Sequence, residues 1–173
     1  MVTHSDQFAL MHEIFVLDAH VKEALDQSKA GEITRNLIDS LLSTLRMEEL
    51  GVLQIYPATD LRAPGWSFLQ PITTSHISGH YFEKPSPPHI RMDFYSCCSV
   101  DWSAIINTVH SHLNLADWRG TFIDRQLEQD SVRQMFDIAG NADKILFEAP
   151  IEAQNAFSRI TDKKKEDVVM ISV

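Results

Sequence analysis

The sequence predicts an α+β domain, a two-layer sandwich in which a mainly antiparallel sheet carries its helices on one face. Three observations predict it. Residues His89 to Ser96 alternate, with Ile90, Met92 and Phe94 on one side and Arg91, Asp93 and Tyr95 on the other, as in a strand with one face on a core. Two other segments carry one-sided apolar stripes at helical spacing: Leu37, Ile38, Leu41, Leu42 and Leu45, then Trp102, Ile105, Ile106, Val109 and Leu113. Between these stripes, strand-like segments follow one another and give the order β-α-β-β-β-α-β over the first 124 residues.

Taken in order, Glu13 to Leu17 is a short apolar run suited to a buried strand. Thr34 is placed to cap the first helix, and Gly51 to stop it. Val52 to Tyr56 reads as a strand. Ser67 to Ile72 and His76 to Phe82 have strand character, interrupted by Pro71 and a Thr-Thr-Ser cluster. Pro85, Pro87 and Pro88 make a rigid turn before the strand at 89–96. Trp118 to Ile123 is a further strand after the second helix. Beyond it, Ser131 to Ile138 reads as a short helix, and Pro150 as the start of another with Ala153, Phe157 and Ile160 inward. Val168 to Val173 reads as a terminal strand. The 173 residues therefore fit a single domain with a core at 11–124 and a C-terminal extension at 125–173.

Composition narrows the function classes. Hydrophobic residues at 44% and charged residues at 23% describe an ordinary globular chain. A net charge of -9 repels nucleic-acid phosphates. No apolar run reaches the roughly 20 residues of a membrane span. Met1 to Leu17 holds Asp6 and Glu13 and lacks a basic start, so it does not read as a secretory signal. Cys97 and Cys98 are adjacent, and neighbours rarely bridge each other. Free thiols imply a reducing, cytoplasmic setting.

Reactive residue types concentrate between Ser67 and Cys98. Three chemistries compete there. A metal held by His76 and His80 requires a helix, yet the segment reads as a strand, on which four residues span roughly 13 Å. No metal is therefore expected. A Cys-His nucleophilic pair at Cys97 or Cys98 has no local signature. The third is self-cleavage at a serine. Gly65-Trp-Ser67, then Thr74-Ser-His-Ile-Ser-Gly-His80, then Asp93-Phe-Tyr-Ser-Cys97 and an apolar helix resemble the pyruvoyl-dependent prokaryotic S-adenosylmethionine decarboxylases. That family carries Glu-Ser-His-Ile-Ser-x-His, an Asp-x-Phe-Thr-Cys strand and a helix. The resemblance extends more loosely over residues 11–124.

The resemblance implies the following roles. Cleavage falls between Thr74 and Ser75, and Ser75 becomes the pyruvoyl group, whose ketone forms a Schiff base with the substrate amine. Ser67 and His80 assist processing. Cys97, which follows Asp93 at the family spacing, is the proton donor. Glu83 and Tyr56 are candidate contacts to the nucleoside. The expected function is decarboxylation of S-adenosylmethionine for spermidine synthesis, by a homodimer or larger homo-oligomer whose subunits share active sites. The sequence departs from the family in three places: Thr74 replaces Glu, Tyr81-Phe82-Glu83 replaces Trp-Pro-Glu, and the 83–89 turn is longer. Thr74 and Glu83 motivate one alternative, a paralogue acting on arginine or ornithine; a second, from a different class, is a non-cleaving pseudoenzyme that binds a ligand or serves as a regulatory subunit.

Overall fold

The computed structural model describes residues 11–125, 134–142 and 144–151. Eight strands form one sheet in which every paired neighbour is antiparallel. They are β1 (Glu13–Val21), β2 (Gln54–Pro57), β3 (Gly65–Ile72), β4 (Ser75–Phe82), β5 (His89–Ser96), β6 (Leu115–Asp124), β7 (Met135–Asn141) and β8 (Lys144–Pro150), in the spatial order β2-β3-β4-β5-β1-β6-β7-β8. Helix α1 (Ala30–Leu45) follows β1, and α2 (Trp102–Leu113) follows β5. The α+β class and the two-layer arrangement hold. Four strands separate the helices, one more than the expected order, because the interrupted 67–82 segment is two strands, β3 and β4, paired through a tight turn, while the expected strand at 52–56 is the short edge strand β2.

Alternation decides the layers. On β1, Phe15, Leu17, Ala19 and Val21 are buried, while Ile14, Val16, Asp18 and His20 face the other way. The inward residues of β3, β4 and β5 join the same core, including Phe68, Ile77, Tyr81, Met92 and Phe94. Leu37, Ile38 and Leu41 of α1 and Ile105, Ile106 and Val109 of α2 close it from one side. Both expected stripes are therefore the buried faces of helices. No described element covers the outer face of the sheet, and it carries most of the polar residues discussed below.

Several local expectations need correction. Thr34 does not cap α1. It lies inside the helix, 2% exposed, and its hydroxyl accepts the indole N–H of Trp66 at 2.9 Å. The true start is an earlier 3₁₀ turn, where the Asp26 carboxylate accepts the Ser28 N–H at 2.9 Å. Arg46 in the left-handed region ends the helix ahead of Gly51. Met135–Asn141 is a strand rather than part of a helix, because it completes hydrogen-bonded ladders with β6 and β8 that its own apolar spacing does not reveal. A Cβ on Gly140 would meet the Lys144 carbonyl oxygen at 2.1 Å and the Trp118 ring at 2.5 Å, so the bulged pairing there needs glycine. Pro150 closes β8 instead of opening a helix. The remainder of that expected helix and the expected strand Val168 to Val173 lie outside the described residues.

Packing fixes two measurable properties. A Cβ on Gly120 would lie 2.5 Å from the ring of Phe15, which is fully buried. Gly120→Ala should therefore lower stability by about 1–3 kcal/mol in urea unfolding, with partial recovery when Phe15 is shortened to Leu. Tyr81 is 1% exposed, and its hydroxyl accepts the Leu25 N–H at 2.8 Å. Burial pushes its phenol above the ordinary value; the Leu25 N–H opposes the rise and Glu83 adds to it. The fold thus holds this proton more tightly than the unfolded chain does. Its contribution to stability is complete below about pH 10 and is lost as pH rises beyond it. Urea midpoints should fall above that pH, and Tyr81→Phe should flatten the decline.

Candidate active site

The resemblance residues sort into two clusters at different heights on β4. The first forms at the β3–β4 hairpin. Ile72 and Ser75 are paired, so Thr73 and Thr74 make a two-residue turn. The turn leaves Ser75 at φ 154°, a region that residues with a side chain rarely occupy and that costs about 1–3 kcal/mol. The Ser75 hydroxyl is half-buried and lies 3.2 Å from Nδ1 of His76. The carbonyl of Thr74 accepts the backbone N–H of Cys97 at 2.9 Å. The Thr74 hydroxyl is buried and has no hydrogen-bond partner among the described residues.

The loop carrying Cys97 is tied down on several sides. The Cys97 carbonyl accepts the Met11 N–H at 2.9 Å. The Ser96 hydroxyl accepts the Cys98 N–H at 2.9 Å. The carboxylate of Glu13, 7% exposed, accepts the Val100 N–H at 2.6 Å. Asp101 then caps α2 through the Ala104 N–H at 2.9 Å. Both cysteines are free thiols of intermediate burial.

The second cluster lies toward the other end of β4, on the outer face. Ser67 and His80 are direct partners across β3 and β4, with Oγ and Nδ1 2.7 Å apart. Tyr56 pairs with Ser67 across β2 and β3 and joins the same face. A row of rings continues across the sheet: His80 against Phe82, Phe82 stacked on His89 at 5.0 Å, and His89 edge-on to His20. His20 in turn lies 2.7 Å from the Asp117 carboxylate. Glu83 departs from this group. It bonds to Gln27 and borders Tyr81, which places it on the helix side of the sheet.

Five residues of strand separate Ser75 from His80, roughly 16 Å at about 3.3 Å each. One chain therefore joins Ser75 to the Cys97 loop and Ser67 to His80, but holds the two pairs apart. Four residues that the sequence did not assign to the site gather at this end of β4, one against Ser75 and the other three linked to it in turn. His76 borders the Ser75 hydroxyl, and its ring meets Tyr95 edge-on at 5.9 Å. His12 bonds the Tyr95 hydroxyl at 3.0 Å, and Arg125 lies 4.9 Å over the Tyr95 ring. His76 is visible in the motif itself; Tyr95, His12 and Arg125 converge only through strand pairing. Midway along the outer face, Asp18 faces both Arg119 at 3.0 Å and Arg91 at 3.8 Å, beside a hollow of about 310 Å³. Among the described residues no group of three His, Cys, Asp or Glu side chains is placed to hold a metal, and no helix is long and apolar enough to cross a membrane.

Chemically, the first cluster polarises one backbone carbonyl and places a hydroxyl, an imidazole and a thiol-bearing loop around it. Removing the Glu13 carboxylate would leave the Val100 N–H buried and unpaired. Glu13→Ala should lower stability by about 1–3 kcal/mol and raise the rate at which a thiol reagent labels Cys97 and Cys98 in the folded protein. Comparisons with protein-family models and with curated protein sequences find no match to this chain.

Proposed function

We propose that the chain is a self-processing, pyruvoyl-dependent amino-acid decarboxylase that acts as a homodimer, with S-adenosylmethionine as the leading substrate. The observation that carries this reading is the 2.9 Å hydrogen bond from the Cys97 N–H to the Thr74 carbonyl, beside a Ser75 held at φ 154°.

The residues support each processing step. The Ser75 hydroxyl oxygen attacks the Thr74 carbonyl carbon and gives its proton to His76, 3.2 Å away. Negative charge then grows on an oxygen that already accepts the Cys97 N–H, which is how a fixed backbone donor lowers such a barrier. The carbon–nitrogen bond breaks as the nitrogen takes up a proton, and an ester joins Thr74 to the Ser75 oxygen. Loss of the Ser75 α-proton to a base forms a carbon–carbon double bond and expels the Thr74 carboxylate. The resulting enamine becomes an imine, adds water and releases ammonia. The ketone so formed supplies the electron sink for decarboxylation of a bound amino acid. The loop tied by Glu13 holds the Cys97 backbone against Thr74, which supports Cys97 as the proton donor.

Ser67 and His80 fit this scheme from a second copy. Their distance from Ser75 along β4 rules out direct help within one chain, whereas two outer faces packed together would bring one protomer's His80 toward its partner's Ser75. The position of Glu83 favours a second substrate reading. On the helix side it cannot hold a ribose against the outer face, which suits the alternative substrates arginine and ornithine.

Mass analysis of purified protein should give two fragments, residues 1–74 and 75–173, and Ser75→Ala should remain one chain. Carbon dioxide release from S-adenosylmethionine, arginine and ornithine then identifies the substrate. His80→Ala alone should cleave at least tenfold more slowly. Co-expression with Ser75→Ala, which supplies an intact His80, should restore cleavage of the His80→Ala chain. An intact wild-type chain that releases no carbon dioxide from any of the three is the outcome that overturns the reading.

A further inference from the structure

Arg125 follows the last residue of β6, and its N–H donates to the His12 carbonyl at 2.8 Å. His12 has φ 52°, a left-handed turn that brings its ring over the sheet to stack on Tyr95, with centroids 6.3 Å apart. Its Nδ1 meets the Tyr95 hydroxyl at 3.0 Å. The Tyr95 ring therefore has His12 and Arg125 around it on the outer face, and His76 and then Ser75 beside it on β4. Arg125 has no acidic partner among the described residues. The other two arginines of this face differ on both counts. Arg91 and Arg119 share Asp18, and Arg91 lies four residues farther along β5, roughly 13 Å from Tyr95.

We propose that Arg125 receives the carboxylate of the amino-acid substrate, with Tyr95 and His12 as positioning residues for its guanidinium. The inference rests on the function proposed above. Ser75 stands opposite the buried Ile72 and Ser96, but its hydroxyl reaches His76, whose ring meets Tyr95 on the outer face, and that face is the open direction for the carboxylate of a substrate held at residue 75. The neighbouring position there is Tyr95, and the cation above that ring is Arg125. A stacked, planar guanidinium loses little freedom on binding and can meet a carboxylate through two N–H groups. Binding at this point orients the bond that breaks.

The test uses wild type, Arg125→Gln and Arg125→Lys, each normalised to the fraction cleaved. Substrate amine is captured at residue 75 by cyanoborohydride, which delivers hydride as the ketone oxygen leaves as water. Capture appears as mass added to the 75–173 fragment. Two ligands are compared, S-adenosylmethionine and its carboxyl methyl ester, in which the negative charge is absent. Arg125→Gln should raise the half-saturating concentration of S-adenosylmethionine roughly tenfold or more and leave that of the ester within about twofold. Arg125→Lys should recover part of the loss, because it restores charge without the planar fork. Tyr95→Ala should resemble Arg125→Gln, whereas Tyr95→Phe, which keeps the ring, should retain capture. Equal loss for both ligands, or no loss for either, overturns the assignment of Arg125 and leaves the decarboxylase reading intact. A wild-type chain that is never cleaved at Ser75 overturns both.

Discussion

One backbone hydrogen bond, from Cys97 to the Thr74 carbonyl, holds the candidate site together. It extends the β4–β5 ladder one step beyond the last paired residues, Ser75 and Ser96. It therefore joins a tight turn to a loop at the start of a helix, two places where a backbone normally loses its partners. Glu13 anchors that loop from the central strand, and Asp101 carries it into α2. The position of the Cys97 backbone is thus a consequence of sheet register: a one-residue slip of β4 against β5 would move the carbonyl away from its donor and turn His76 into the core.

The same register divides β4 by chemistry. Ile77, Gly79 and Tyr81 are buried, while His76, Ser78, His80 and Phe82 face outward. Gly79 is required by the core side, since a Cβ there would meet the Phe68 ring at 2.4 Å. The outer face can then be polar because the core is satisfied from the other side by two helices alone. An extended strand spaces its outward residues about 6.6 Å apart and cannot fold them together, unlike a helix. Ser67 and His80 therefore stay a fixed distance from Ser75 within one chain. On this face Arg91 and Arg119 share Asp18, whereas Arg125, over the Tyr95 ring, has no acidic partner among the described residues.

Much of the architecture was legible in the residues. The alternation at 89–96 and the stripes at 37–45 and 102–113 are direct records of which side meets the core, and each appears in the fold with the expected face inward. Thr34 misled because a hydroxyl residue ahead of an apolar stripe resembles a cap, and its partner, the Trp66 indole, is remote in sequence. The 135–141 segment misled for a related reason: its strand character comes from β6 and β8 on either side rather than from its own spacing. The Ser75 neighbourhood was half legible. His76 is adjacent in the chain, but His12, Tyr95 and Arg125 come from three strands or their ends.

Sequence by itself determined the periodicities within the first 124 residues, and with them the main helices and strands there and the face each buries, because side-chain direction repeats every 2 residues in a strand and every 3.6 in a helix. It also placed Ser67, Ser75, His80 and Cys97 in one short stretch. Only the tertiary structure decided which of these residues meet. Pairing register set Ser67 against His80, set the Cys97 amide against the Thr74 carbonyl, and kept the two pairs some five residues of rigid strand apart. Those distances depend on hydrogen bonds between segments far apart in the chain, a property no local pattern records.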